Sequence, residues 1–117
     1  REVYEIVLRA QLASLEAVKA GASAPAVDGV ARKIIDEAGY GENFGHGLGH
    51  GVGLQIHEAP GINATAAGTL LAGSAVTVEP GVYLPDRGGV RIEDTLMVTA
   101  ARGPELLTRF PKELAIL

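Results

Sequence analysis

The chain has 117 residues, of which 47% are hydrophobic, and a formal net charge of −4. This length suits one domain or part of one with a core of its own. The acidic balance, without a basic run or an aromatic platform, excludes a nucleic-acid-binding surface. The absence of cysteine excludes a disulfide framework and thiolate chemistry. No apolar run approaches the roughly 18 residues of a membrane span, so no membrane contact and a cytoplasmic location are expected.

Two helices are predicted in the first third of the chain, where apolar residues recur at three-and-four spacing. The first helix is expected over residues 1 to about 20, with Gly21 as its C-terminal cap. The second begins after Ser23 as N-cap, tolerates Pro25 in its first turn and ends at Gly39. Its charged residues are expected on the solvated face: Asp28, Arg32, Lys33, Asp36 and Glu37.

The remainder of the chain shows loop and strand patterns. Residues 59–74, rich in small and polar residues, are predicted to form a surface connection. Alternating residues predict strands over 75–84 and 90–99, joined by a turn at 85–89, and a short last strand over 105–108. Two helices followed by a run of strands predict an α+β fold, with the helices packed on an antiparallel sheet.

The two central strands bring a pair of carboxylates together. If the hairpin is symmetrical about Asp86, Glu79 faces Glu93 on one side of the sheet, with Cβ atoms about 4.5–5.5 Å apart. Two like charges at that distance repel each other unless a positive charge lies between them. Arg91, which points to the same side as Glu93, is one candidate and a metal dication is the other. The hairpin alone favours neither.

All three histidines, His46, His50 and His57, lie within residues 44–58, where glycine occupies every second position from 45 to 53. Histidine suits metal binding and proton transfer near neutral pH, and alternating glycines let a ligand approach the backbone. The spacing fails both the dinucleotide-binding and the zincin motifs. In an extended chain His57 would lie opposite the other two histidines, so the three are not expected to bind one ion.

Three segments in order carry a family resemblance. They read H-G-L-G-H-G-V-G-L-Q-I-H-E (46–58), T-V-E-P-G-V-Y (77–83) and G-G-V-R-I-E-D-T (88–95). They resemble signatures of the pita-bread metallopeptidases (creatinase/aminopeptidase-like), most closely Xaa-Pro aminopeptidases and Xaa-Pro dipeptidases (prolidases). The closing L-T-x-x-P-K-E-L (107–114) is similar to the same branch. The resemblance covers essentially the whole chain. It implies that residues 1–117 are the C-terminal portion of a pita-bread catalytic domain, truncated upstream of Arg1.

The resemblance implies a dinuclear metal site and assigns ligands to it. His50 would be the imidazole ligand, Glu79 a ligand and the general base for the attacking water, and Glu93 a ligand shared by both ions. Carboxylates with one imidazole suit Mn²⁺, the favoured ion, and also Co²⁺ or Zn²⁺. Two such ions about 3.5–4 Å apart can activate a shared water and polarise a scissile carbonyl.

The remaining implied roles concern substrate binding and support of the ligands. His46 and His57 would hold the substrate carbonyl and stabilise the tetrahedral intermediate as hydrogen-bond donors. Tyr83 and Arg91 would hold the two carboxylates in place. The implied reaction is hydrolysis of Xaa-Pro bonds in proline-containing peptides. A homodimer is also expected, because a partial fold exposes apolar surface.

The chain departs from the family pattern in its aspartates. The resemblance implies two aspartate ligands, and the four aspartates here are placed on a helix surface, in a turn or on the strand face away from Glu93: Asp28, Asp36, Asp86 and Asp94. The chain alone is therefore expected to be inactive. A creatinase-like hydrolase that works without metal and a non-catalytic binding module of the same fold remain alternatives. Both are disfavoured because His50, Glu79 and Glu93 are retained together.

Overall fold

Two helices precede an antiparallel sheet in the computed structural model, which describes all 117 residues. The helices are α1 (Glu2–Ala17) and α2 (Ala24–Glu37), followed by a 3-10 turn (Gly41–Asn43). The strands are β1 (Gly49–Gly51), β2 (Glu58–Ile62), β3 (Ala75–Val78), β4 (Gly81–Leu84), β5 (Gly88–Arg91), β6 (Asp94–Met97) and β7 (Glu105–Leu106). Five of them form one sheet in the order β2-β1-β3-β6-β7, and β4 pairs with β5 separately. Every pairing is antiparallel. The predicted α+β fold is confirmed.

One core joins the helices to the sheet. Its fully buried side chains come from α1, α2 and the central strands and include Val7, Ala10, Ala31, Ile35, Val76, Val78 and Leu96. Burial of such aliphatic side chains from both layers is the main force that holds the helices on the sheet. No helix is both long enough and apolar enough to cross a membrane.

The ends of the two helices differ in how well they follow the prediction. Helix α1 ends at Ala17, and Gly21 is not its cap. The reason is that Val18 turns to an extended conformation and is fully buried, whereas Gly21, with φ of 85°, donates its N–H to the carbonyl of Leu70. Helix α2 follows the prediction, because the Ser23 hydroxyl accepts the N–H of residue 26 at its start.

The charged face predicted for α2 is wrong at one position. Lys33, Asp36 and Glu37 are exposed, but Asp28 is only 1% exposed. Asp28 lies on the side of α2 that faces the loop before β1. There its carboxylate is neutralised by Arg32 and also accepts a hydrogen bond from a backbone N–H. A carboxylate with such partners can be buried without an unpaired charge.

The strand predictions need two corrections. Residues 58–62 form β2, which pairs with β1, although residues 59–74 were predicted to be a surface connection. This strand is hard to see in a sequence because its centre reads Ala-Pro-Gly, three residues that disfavour strands. The predicted strands 75–84 and 90–99 are each divided in two. The first is interrupted at Pro80, which has no N–H to donate.

The predicted hairpin register is confirmed on both sides of this interruption. Val78 faces Asp94 before it, and Gly81 faces Arg91 after it. Both ladders obey the symmetry about Asp86, which has φ of 61° at the tip of the turn. Glu79 and Glu93 therefore lie opposite each other in the gap between the two ladders. One backbone hydrogen bond crosses this gap, from the N–H of Ile92 to the carbonyl of Pro80 at 3.3 Å.

Candidate metal centre

Three potential metal ligands converge where β1, β3 and β6 meet. His50 is the central residue of β1, Glu79 directly follows β3, and Glu93 directly precedes β6. One ligand atom from each lies within 4.8 Å of the others. The Nε2 atom of His50 is 3.3 Å from Oε2 of Glu79, and both side chains are largely shielded from solvent. The structure thus brings together the three ligands suggested by the sequence.

Hydrogen bonds from backbone N–H groups hold the segments of His50 and Glu79 at these positions. The N–H of His50 donates to the Thr77 hydroxyl at 3.1 Å. The N–H of Glu79 donates to the carbonyl of Leu48 at 2.7 Å. A Cβ atom at Gly49 would collide with the carbonyl of Thr77. Glycine at this position is therefore what allows β1 to lie so close to β3.

The electrostatics of the cluster favour a bound cation. The Nδ1 atom of His50 is 2.8 Å from the carbonyl of Gly51, which can only accept, so Nδ1 is the donor there and Nε2 is the ring nitrogen that faces Glu79. Burial raises the pKa of the Glu93 carboxyl, and the hydrogen bond and charge of Glu79 raise it further, against the influence of Arg91 and His50. Carboxylates and an imidazole lone pair facing one another form a donor set that fits a divalent metal.

Arg91 does not neutralise the two glutamates by direct pairing. No ion pair joins its guanidinium to Glu79 or Glu93. The pKa of Arg91 is raised, chiefly by a hydrogen bond with Tyr83 and only weakly by the charges of the two glutamates. Of the two candidates left open by the hairpin, the geometry therefore favours the metal ion.

The histidines separate into two groups, because the stretch that carries them is not extended throughout. The chain bends after Val52, so the ring of His57 lies 4.2 Å from that of His50, measured between centroids. His46 lies instead beside Tyr83, whose hydroxyl is 2.7 Å from its Nε2 atom. The Nδ1 atom of His46 is 2.7 Å from the carbonyl of Gly47, so both ring nitrogens are engaged within the chain.

A cavity of about 540 Å³ opens onto the ligand cluster. Polar and charged groups form most of its wall, and Val52 and Ile56 provide an apolar side. Its lining residues are His50, Val52, Ile56, His57, Thr77, Glu79, Arg91, Glu93 and Thr95. A cavity of this size holds a small-molecule ligand or a few residues of a peptide. His46 and Tyr83 are not part of its wall.

Sequence reasoning missed the residues that support the centre from outside. Thr77 holds His50 through its hydroxyl, as described above. Asp94, next to Glu93, is 2% exposed, and its carboxylate accepts hydrogen bonds from Gln11, Thr108 and Lys112. The only sequence signal for this network was the closing P-K-E-L segment, which contains Lys112.

The sequence profile of metallopeptidase family M24 matches residues 1–100. The chain belongs to this family. Membership of a metallopeptidase family implies divalent metal ions, and the cluster of His50, Glu79 and Glu93 fits that requirement.

Named relatives of this M24 chain are peptidases. It is 52% identical over 114 residues to the Xaa-Pro dipeptidase of Pyrococcus furiosus, an alignment that covers 97% of this chain and 32% of the relative. The structure matches an Xaa-Pro dipeptidase from Bacillus anthracis with TM-score 0.96 and 53% identity, over 99% of this chain and 32% of the other. It matches an X-Pro aminopeptidase from Thermotoga maritima with TM-score 0.92 and 46% identity, over 96% and 32%.

These similarities confirm the predicted fold as part of a pita-bread fold. The chain spans about a third of the length of the curated relatives it matches.

Proposed function

We propose that this chain is part of the catalytic domain of a metal-dependent exopeptidase that hydrolyses Xaa-Pro bonds in proline-containing peptides. The observation that carries the proposal is the convergence of His50, Glu79 and Glu93 within 4.8 Å at the wall of one cavity. Similarity to Xaa-Pro dipeptidases over nearly the whole chain supports the substrate class. The same similarity extends to an X-Pro aminopeptidase, so the proposal covers both types.

His50, Glu79 and Glu93 would supply three of the ligands for two divalent metal ions, with Mn²⁺ favoured and Co²⁺ or Zn²⁺ compatible with the donors. When bound, the ions would supply Lewis-acid polarisation of the scissile carbonyl and a water of lowered pKa. Glu93, the most exposed of the three, would contribute its carboxylate from the open side of the cluster. The hydrogen bond from Nδ1 of His50 to the carbonyl of Gly51 would fix the ring orientation that points Nε2 at the metal.

The chain's own side chains would position the peptide and move protons. Glu79 would take a proton from the attacking water as general base and deliver it to the leaving amine. His57, beside His50 at the cavity wall, would donate a hydrogen bond to the oxygen on which negative charge develops. Arg91, also at the wall, would balance the charge of the glutamates from a distance.

His46 would support the cavity wall through Tyr83, whereas the resemblance implies direct contact with the substrate. Because its two ring nitrogens are engaged by Gly47 and Tyr83, it would fix the orientation of the Tyr83 side chain. Tyr83 in turn raises the pKa of the Arg91 guanidinium. His46 would therefore contribute to the order of the cavity wall and would reach the substrate carbonyl only after giving up one of these bonds.

The chain alone would neither hold a metal pair nor hydrolyse peptides. It provides three ligands, and its aspartates lie elsewhere. Asp28 and Asp94 are buried in hydrogen-bond networks, Asp36 is on the surface of α2 and Asp86 is at a turn. The remaining ligands of a two-ion centre would come from outside these residues.

A segment exchange tests the proposal. The aligned segment of the Pyrococcus furiosus Xaa-Pro dipeptidase would be replaced by this chain, and hydrolysis of an Xaa-Pro dipeptide would be measured after chelation and after adding Mn²⁺. We expect hydrolysis that depends on Mn²⁺ and falls about 100-fold or more with Glu79→Gln, but not with the exposed control Glu37→Gln. Hydrolysis that survives chelation would indicate the metal-free alternative. A folded hybrid without Mn²⁺-dependent hydrolysis would refute the proposal.

A further inference from the structure

A buried carboxylate on α2 lies beneath the loop that leads into β1. Asp28 is 1% exposed. Its Oδ1 atom accepts the N–H of Leu48 at 3.0 Å, and its two oxygens accept hydrogen bonds from Arg32 at 3.1 and 2.8 Å. The carboxylate is thus fully paired, and one of its three bonds goes to the backbone of the histidine-bearing loop. Charge-assisted hydrogen bonds of this kind are strong, and their geometry fixes the relative position of the groups that they join.

Arg32 fixes the same loop at two further points. It donates to the carbonyl of Phe44 at 3.0 Å and to the carbonyl of His46 at 2.9 Å. Its guanidinium also lies 4.2 Å from the centre of the Phe44 ring, within the range of a cation–π contact. The hydrogen bond with Asp28 raises the pKa of Arg32. Together the two side chains hold the backbone from residue 44 to residue 48.

Leu48 connects this anchor to the ligand cluster. Its N–H is held by Asp28, and its carbonyl accepts the N–H of Glu79 at 2.7 Å. Its side chain is fully buried, so the residue has little freedom to shift. His50 follows two positions later. A single peptide segment therefore links Asp28 on α2 to both His50 and Glu79.

We propose that Asp28 and Arg32 are positioning residues for the metal centre, setting the separation of His50 and Glu79 through the backbone of Leu48. The identity of the centre rests on the proposed function; the positioning itself does not. If the pair served only stability, its hydrogen bonds to the backbone could go to any part of the chain. All of them go instead to residues 44–48. Buried networks that are fully satisfied specify a unique geometry, which a ligand set needs.

The first measurement is amide hydrogen exchange on the 117-residue chain with Asp28→Asn and Arg32→Lys. Lysine keeps the charge of Arg32 but cannot reproduce its forked contacts. We expect exchange at Leu48 and Glu79 to accelerate about tenfold or more, with the amides of β3 unchanged. Asp36→Asn, an exposed change on the same helix, is the matched control and should alter neither amide.

The second measurement is the Mn²⁺ concentration for half-maximal hydrolysis in the segment-exchanged dipeptidase, which we expect both variants to raise about tenfold. The double variant Asp28→Leu/Arg32→Met separates positioning from stability, because an apolar pair often replaces a buried ion pair without loss of stability. If this double variant has both the melting temperature and the Mn²⁺ requirement of the parent, the inference is wrong.

An inactive parent hybrid would refute the proposed function and leave the exchange data to decide the positioning. Uniformly faster exchange over β3, or unchanged exchange at Glu79 in a folded variant, would overturn the positioning itself.

Discussion

The side chain of Lys112 completes a buried network around Asp94, and we predict that Lys112→Met destabilises the fold. Asp94 is 2% exposed. Its carboxylate accepts hydrogen bonds from Gln11 at 2.7 Å and Thr108 at 2.6 Å as well as from Lys112. Methionine retains the length and apolar stem of lysine but leaves the carboxylate without its cation.

The expected cost follows from the degree of burial. Losing one partner of a fully buried ion pair costs about 3–5 kcal/mol, and a hydrogen bond to a charged group is worth about 1.5–3 kcal/mol. The side chain of Lys112 is 21% exposed, and Asp94 keeps two neutral donors, so the lower range applies. We expect a loss of about 2–3 kcal/mol in the free energy of unfolding at pH 7. For a domain of this size the melting temperature falls by about 8–12 °C.

The pH dependence provides a second, independent check. Burial acts to raise the pKa of Asp94, but the hydrogen bonds from Lys112, Thr108 and Gln11 outweigh it and hold this pKa below its ordinary value. A carboxyl with a lowered folded-state pKa stabilises the fold above its unfolded-state pKa of about 3.9, and this contribution disappears as pH falls through the folded-state value. The difference between the parent and Lys112→Met should therefore be largest near neutral pH and shrink towards pH 2.

Urea unfolding followed by circular dichroism at several pH values would measure this difference. Lys33→Met is the control, because Lys33 is exposed and its nearest carboxylate oxygen, on Glu37, is 3.9 Å away; it should cost less than about 0.5 kcal/mol. If Lys112→Met costs no more than this control at pH 7, or costs as much at pH 2 as at pH 7, the reasoning about the buried pair is refuted.

Two further predictions concern Gly49 in β1 and the contact between His46 and Tyr83. Gly49→Ala should lower the free energy of unfolding by about 1–3 kcal/mol or prevent folding, because its Cβ would meet the carbonyl of Thr77. Gly29→Ala lies inside α2 with open space around it and should raise the free energy of unfolding by about 0.5–1 kcal/mol. Thermal unfolding should therefore shift in opposite directions for the two variants. Tyr83→Phe removes the hydroxyl beside Nε2 of His46, so we expect a change in the ¹⁵N shift of that imidazole nitrogen and a loss of about 1 kcal/mol; an unchanged shift would contradict the pairing.

The opposition of Glu79 and Glu93 could be predicted from the sequence because a hairpin register is a local property. The turn chemistry around Asp86 sets the symmetry, and the alternation of side chains then determines which residues share a face. Pro80 divides the strands without shifting the register. The prediction therefore needed no information from distant parts of the chain.

The position of His57 could not be predicted in the same way, because it depends on a bend that breaks the alternation. The N–H of Gly53 donates to the carbonyl of Gln55, and the carboxylate of Glu58 accepts the N–H of Gln55 at 3.1 Å. These contacts turn the chain so that His57 reaches His50. A pattern of alternating glycines is compatible with either an extended strand or a bend, and only the side-chain contact selects between them.

The burial of Asp28 was missed for a tertiary reason. Asp28 and Arg32 are four residues apart on one face of α2, and their side chains form an ion pair. The pattern of the helix gives no sign of the loop of residues 44–48. This loop covers the ion pair, accepts hydrogen bonds from Arg32 and donates one to Asp28, so that the carboxylate is buried. The same limit applies to Asp94, whose cation lies 18 residues away along the chain.

Two buried carboxylates thus flank the candidate centre without belonging to it, and this arrangement restricts how the centre can be completed. Asp28 is committed to Arg32 and Asp94 to Lys112. Recruiting either as a metal ligand would break the charge-assisted hydrogen bonds of a buried carboxylate, at a cost of about 1.5–3 kcal/mol. Neither aspartate can therefore replace a missing ligand by a small movement. A second ion in this centre requires donors other than the aspartates of these 117 residues.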